Sequence, residues 1–206
     1  MSNSLNGLVS QIRKCRVCRD TPKAGKPPLP HEPRPVLQVS SAARVMIVGQ
    51  APGTRVHASG QPFTDPSGDR LRDWMGITEE VFYDPDKLAI VPMGFCFPGL
   101  DAKGGDLPPR TECAPLWREA LMQAMPQVTL VLAIGMYAQK WHMGSQQKPT
   151  LTETVRNWRQ YHEMNPVSVI PMPHPSWRNT GWLKKNPWFE AELLPVLKAD
   201  VKALVS

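Results

Sequence analysis

The sequence predicts a single three-layer α/β domain with a central, mainly parallel, four-stranded sheet flanked by helices. Four apolar runs of strand length stand at Val45–Val48, Leu88–Val91, Val128–Ile134 and Val167–Ile170. Each is separated from the next by a segment that reads as helix or long loop, the alternation that parallel strands with crossover connections require. The chain has 206 residues, 41% of them apolar, which is enough for one sizeable core and too little for several ordinary domains.

The connecting elements follow in order. Ser67 is placed to cap a helix over about Gly68–Met75, where Leu71, Trp74 and Met75 share a face. A second helix covers about Glu112–Met125 and a third starts at Met136. The last, about Pro187–Leu204, opens on a proline allowed in a first turn and aligns Phe189, Leu193, Leu197 and Val201 on one stripe. Thr21–Pro35 holds six prolines without apolar periodicity and is a loop, as is the glycine- and proline-rich Pro92–Pro109. Twenty-three prolines are about double ordinary usage, but seven tryptophans and regularly spaced Val, Ile and Leu argue for rigid loops on a packed body rather than disorder. With no repeat and no linker, residues 1–206 are expected to form one domain, with 1–44 a basic, proline-rich arm.

The net charge of +6 lies entirely in that arm. Residues 1–45 carry eight basic side chains (Arg13, Lys14, Arg16, Arg19, Lys23, Lys26, Arg34, Arg44) against Asp20 and Glu32, and the remainder is balanced. Such an arm favours a polyanionic partner such as nucleic acid. No stretch approaches the roughly 20 apolar residues of a membrane span, and the amino terminus has no basic segment followed by an apolar run. The expectation is a cytoplasmic monomer with no membrane partner.

All four cysteines fall into a spaced set, Cys15-x2-Cys18 and then Cys96 and Cys113. Four thiols with none left over suit a four-thiolate site that ties the arm to the body. Zinc and a four-iron four-sulfur cluster both accept four thiolates, and spacing does not choose between them; unbound thiols or disulfides are the alternative.

In open parallel sheets ligands bind beyond the carboxyl ends of the strands, where Gly49–Pro66, Pro92–Pro109 and Pro171–Trp182 all lie. Gly49-Gln50-Ala51-Pro52-Gly53 directly follows the first strand, and its glycines permit close approach of the main chain to a ligand. Gly60-Gln61-Pro62-Phe63-Thr64-Asp65 comes next. Pro173-His174-Pro175-Ser176-Trp177-Arg178-Asn179 sets a histidine between two prolines near the end of the fourth strand.

These motifs resemble the uracil-DNA glycosylase superfamily. Gly49–Gly53 with Gly60-Gln61-Pro62-Phe63, the strand and loop before Cys96, Val131-Leu132-Ala133-Ile134-Gly135 and His174-Pro175-Ser176 stand in the family's order, and the resemblance covers about Cys15 to Leu197. The cysteines resemble those of the iron–sulfur families 4 and 5, which implies that Cys15, Cys18, Cys96 and Cys113 hold a four-iron four-sulfur cluster, with zinc the alternative. The histidine motif is closer to that of the single-strand-selective monofunctional uracil glycosylases.

The resemblance implies base flipping: uracil leaves the DNA stack, enters a pocket, and its N-glycosidic bond is hydrolysed to leave an abasic site. Phe63 would stack on the base. Gln50, with main-chain N–H groups near Ala51 and Gly53, would contact its edge. His174 would donate to the pyrimidine oxygen that gathers charge. Ser176, Trp177 and Arg178 would contact DNA, and Asn179 would position water or fix the His174 loop. Core packing for Phe63 and Trp177 and a surface phosphate contact for Arg178 are the plainer readings.

The match has departures. Ala51 stands where the standard uracil enzyme has its water-activating aspartate, Gln50 where family 4 commonly has glutamate, Gly53 where a tyrosine excludes thymine, and Pro92 where a pyrimidine-reading asparagine is usual. Asp65 and His57 are the nearest replacements for the missing aspartate; Asp69 and Asp73 read as solvated helix residues. The expected partner is DNA containing uracil or abasic sites. A protein that grips such DNA without cleaving it, and a glycosylase for another deaminated or C5-modified base, are the rival readings.

Overall fold

The computed structural model describes residues 4–206. Strand β1 (Val45–Val48) is central, β2 (Leu88–Ile90) pairs on one side, β3 (Leu130–Ile134) on the other, and β4 (Ser168–Met172) lies beyond β3. The order is β2-β1-β3-β4, and every pair is parallel. One domain with helices on both faces of a four-stranded sheet is the predicted architecture.

Side chains alternate across a strand, so each strand feeds two cores. Val45, Ile47, Leu132 and Ile170 meet Leu71 and Trp74 of α4 (Pro66–Met75) and Leu197 and Val201 of α11 (Leu194–Val205). Met46, Val48, Val131 and Val169 meet Leu8 and Ile12 of α1 (Leu5–Arg13), Leu121 of α6 (Cys113–Ala124), Ala138 of α7 (Met136–Met143) and Tyr161 of α9 (Trp158–His162). Helix α1, the turns α2 (Val17–Asp20), α3 (Thr54–Ser59) and α5 (Glu79–Phe82), and helices α8 (Leu151–Arg156), α9 and α10 (Thr180–Lys185) were not foreseen. Most are only one or two turns long, too short to print a 3.6-residue period.

Three boundaries differ for physical reasons. Asp65, not Ser67, caps α4: its carboxylate accepts from Ser67 N at 3.0 Å and from the Ser67 hydroxyl. Strand β4 runs on through Pro171 to Met172, because an edge strand has a side that needs no N–H donor. The last helix is not uniform. Pro195 has no N–H for the Ala191 carbonyl, and the preceding turn, Phe189–Leu193, widens to π geometry before α11. The predicted stripe survives, since Phe189, Leu193, Leu197 and Val201 are all fully buried.

The arm is bound to the body. Gln38 and Ile90 exchange main-chain hydrogen bonds of 3.0 and 2.7 Å, an antiparallel bridge that covers the outer edge of β2. Arg34 donates to the carbonyls of His57 and Ala58, at 2.8 and 2.7 Å, at the carboxyl end of α3. Arg16 pairs with Asp20 and Glu32, and Arg19 donates to the Leu29 carbonyl. Three of the basic residues read as polyanion contacts thus have partners within the protein, Arg34 on the body and Arg16 and Arg19 inside the arm. Among the described residues no helix is long and apolar enough to cross a membrane.

Candidate active site

The turn after β1 and the loop after β4 meet in one cleft of about 100 Å³, whose lining includes Gln50, Ala51, Gly53, Phe63, Asp65, Pro92, Asp106 and His174. Its floor and walls are apolar (Val36, Val56, Ile90), with polar groups few and convergent, the usual constitution of a small-ligand site.

Phe63 is held under constraint. It is the one described non-glycine residue with positive φ, at 55°. The Tyr83 hydroxyl donates to the carbonyls of Pro62 and Phe63, at 2.9 and 3.2 Å, and the Phe63 ring meets Phe82 edge-on at 5.9 Å. A side-chain carbon at Gly68 would collide with the Phe63 carbonyl oxygen, so α4 approaches this turn only because residue 68 is glycine. Gly68→Ala is expected to displace Phe63 and to cost about 1–3 kcal/mol by overpacking, read as a lower urea midpoint together with weaker ligand binding.

Gln50 is fixed from outside the cleft, its Nε2 donating to the Leu107 carbonyl at 3.2 Å. Main-chain bonds from Met93 N to Gly49 O (2.9 Å) and from Gly94 N to Gln50 O (3.0 Å) stitch its turn to the loop after β2.

The His174 loop is braced in turn. Nδ1 of His174 accepts from Ser176 N at 3.2 Å, so the neutral ring carries its proton on Nε2. Asn179 donates to the His174 carbonyl at 2.7 Å and does not line the cleft. Arg70, on α4, donates to the Ser176 carbonyl at 2.9 Å. The ring reaches solvent at the cleft mouth but is otherwise packed by protein; this desolvation lowers its pKa, against the pull of Asp65 and Asp106. Beyond it Trp177 is 72% exposed, with the Arg178 guanidinium 5.9 Å from its ring centroid.

His57 is a correction. It does not line the cleft; its ring packs against His31 and Phe97, centroids 4.4 and 5.7 Å away, because α3 turns that face toward the arm. Two residues escaped the sequence reading, Arg70 and Asp106. Asp106 is exposed, but the protein atoms around its carboxylate desolvate it and raise its pKa, and Asp65 adds to this, while His174 and Arg178 oppose it. A lone aspartate after two glycines in an irregular loop offers no period or spacing to detect.

Cys15, Cys18, Cys96 and Cys113 line a second, mostly enclosed cavity with Ile12, Phe95 and Trp117. None is in a disulfide, and Phe95 N donates to Cys113 Sγ at 3.4 Å. Burial pushes the Cys96 and Cys113 thiols up to about 12. Among the described residues no group of three or more His, Cys, Asp or Glu side chains is drawn together around a single ion. One loop joins the two cavities, since Pro92 and Asp106 face the cleft and Cys96 faces the thiols.

A family model described as the uracil DNA glycosylase superfamily matches residues 37–198, from just after the arm's prolines into α11.

Proposed function

The chain belongs to the uracil DNA glycosylase superfamily, whose members are DNA glycosylases, and from that premise we propose that it excises uracil from DNA by base flipping and hydrolysis of the N-glycosidic bond. One observation carries the reading: the Gln50 turn, Phe63 and the His174 loop, distant in sequence, line one cleft.

In this reading the extruded base stacks on Phe63, whose ring is held in place by Tyr83 and Phe82 through their contacts with its turn and edge. Gln50, with its Nε2 held by Leu107, offers Oε1 to a donor on the pyrimidine edge. His174 Nε2–H donates to the base oxygen that becomes anionic as the bond breaks, the same preorganised stabilisation that an oxyanion hole provides. Trp177, exposed beside Arg178, occupies the gap left in the duplex or packs against the flanking strand.

The four thiols fit a four-iron four-sulfur cluster: they are free, they surround one cavity instead of meeting at a point, and one already accepts a main-chain N–H. Cys15, Cys18, Cys96 and Cys113 would hold it, and its contribution is to fasten the arm and the Pro92–Pro109 loop together. Iron and acid-labile sulfide in the purified protein are expected; zinc alone would overturn that assignment.

The test is abasic-site formation on oligonucleotides carrying uracil, thymine or no lesion. Cleavage of the uracil strand alone supports the reading, and tight binding without product supports the non-cleaving rival. Gly53 has no side chain, but Asp106 Oδ2 stands 3.5 Å from where one would begin, so 5-substituted uracils in the panel test whether that space admits a C5 group.

A further inference from the structure

We propose that Asp106 is the catalytic carboxylate of this site, placed to stabilise the sugar cation and to take a proton from the attacking water. The inference rests on the glycosylase reading above and assigns within it a role that the motif residues leave open. Ala51 carries no carboxylate, and two aspartates line the cleft, Asp65 and Asp106.

Their situations differ. Asp65 is committed as a helix cap, with Oδ1 accepting both the main-chain N–H and the hydroxyl of Ser67. Asp106 is exposed to solvent at the cleft and its carboxylate has no hydrogen-bond partner among the described residues, although its loop is closely tied down. Leu107 N donates to Gly99 O at 3.0 Å, Asp101 N to Gly105 O at 2.8 Å, and Gly105 N to Asp101 Oδ1 at 2.9 Å. A carboxylate on a fixed backbone, open to the cleft and not engaged by a protein donor, is placed to meet a ligand there.

Position agrees with that role. Oδ2 of Asp106 lies 3.5 Å from where a side-chain carbon on Gly53 would stand. The carboxylate therefore enters the space that the absent residue-53 side chain leaves open, in the cleft that His174 also lines. A sugar held between the two would have a hydrogen-bond donor at its departing base and a negative charge at its own carbon.

The step balances. The C1′–N1 bond breaks and its electron pair leaves with the base, whose oxygen accepts from His174 Nε2–H. The sugar cation forms facing Asp106. Water oxygen then bonds to C1′, one water proton goes to the Asp106 carboxylate, and that proton returns through solvent to the uracil anion. The products are uracil and an abasic sugar bearing a hydroxyl, with no oxidant or second substrate.

The experiment compares wild type, Asp106→Asn and Asp65→Asn in single-turnover cleavage of a uracil oligonucleotide. Asp106→Asn is expected to slow the chemical step about 10²-fold or more with unchanged Tm and substrate affinity, and to remove the acid limb of the pH–rate profile that carboxylate protonation causes. Asp65→Asn is expected to lower Tm and to slow cleavage less. Each protein is also titrated with oligonucleotides that hold a cationic pyrrolidine or a neutral tetrahydrofuran in place of the sugar. Wild type should prefer the cation, and Asp106→Asn should lose that preference. Wild-type cleavage rates in Asp106→Asn, or an unaltered pyrrolidine preference, would overturn the assignment. A wild type that cleaves no uracil strand refutes the proposed substrate; the pyrrolidine comparison still decides the role of Asp106.

Discussion

Replacing His174 by alanine is expected to slow abasic-site formation about 10²–10³-fold, the loss seen when one preorganised donor to a developing anion is removed, while oligonucleotide affinity stays within a fewfold. The donor is set by its own neighbours. Ser176 N occupies Nδ1, so the neutral ring can present a proton only from Nε2. Desolvation holds its pKa below the ordinary 6.5, although Asp65 and Asp106 temper the shift. The sign follows: the neutral, correctly oriented ring persists as pH falls through 6.5 and is lost only below its lowered pKa, where protonated Nδ1 can no longer accept from Ser176. Rate measured against pH should therefore show no loss from His174 near 6.5. His174→Gln, which keeps a donor but not the ring, should recover part of the activity. Alanine at wild-type rate would exclude His174 from the chemistry.

Arg118→Ala is expected to destabilise the fold by about 3 kcal/mol or more, seen as a fall in Tm of roughly 6–12 °C for a domain of this size. This guanidinium is 1% exposed. It donates to the carbonyls of Val91 and Pro92, at 3.0 and 3.3 Å, and to His142 Nε2 at 3.1 Å. Truncation leaves those acceptors without this donor and opens a void where the buried side chain stood. Arg118→Met, which restores the stem but not the fork, should recover only the packing part. Its partner adds a pH dependence. Burial and the adjacent guanidinium depress the His142 pKa to about 3. The unfolded chain takes up that proton below about 6.5 and the folded one does not, so stability is complete above 6.5 and declines as pH falls toward 3. His142→Gln should flatten that part of the decline, measured as urea midpoints at successive pH values.

Much of the fold was legible because the sheet is buried on both faces. Val45–Val48 and Leu130–Ile134 are wholly buried and read as unbroken apolar runs. The stripe from Phe189 to Val201 was equally plain. What stayed hidden depends on partners far along the chain. Arg70 braces a loop 106 residues away, and Gln38 closes a sheet edge 52 positions on, neither with any local signature. The cleft was foreseen from two motifs, Gln50 with Phe63 and the histidine between prolines, since glycine and proline mark where backbone must be fixed. Asp106 was not, because a carboxylate becomes conspicuous only when its neighbours prove to offer it no hydrogen bond. His57 misled for the opposite reason: a histidine near a motif is visible in sequence, but the direction it faces is not.

The position of β1 has a consequence for biosynthesis. The first strand to leave the ribosome is an interior one, and both of its neighbours are made later, at Leu88–Ile90 and Leu130–Ile134. Until about two thirds of the chain has been translated, Val45–Val48 is a sticky apolar ribbon with an incomplete ladder, the kind of nascent segment that chaperones shield. Cys15 and Cys18 likewise wait for Cys113 before the cavity that all four cysteines line is complete. The domain therefore matures late in translation, and a truncated product ending before β3 has no route to it.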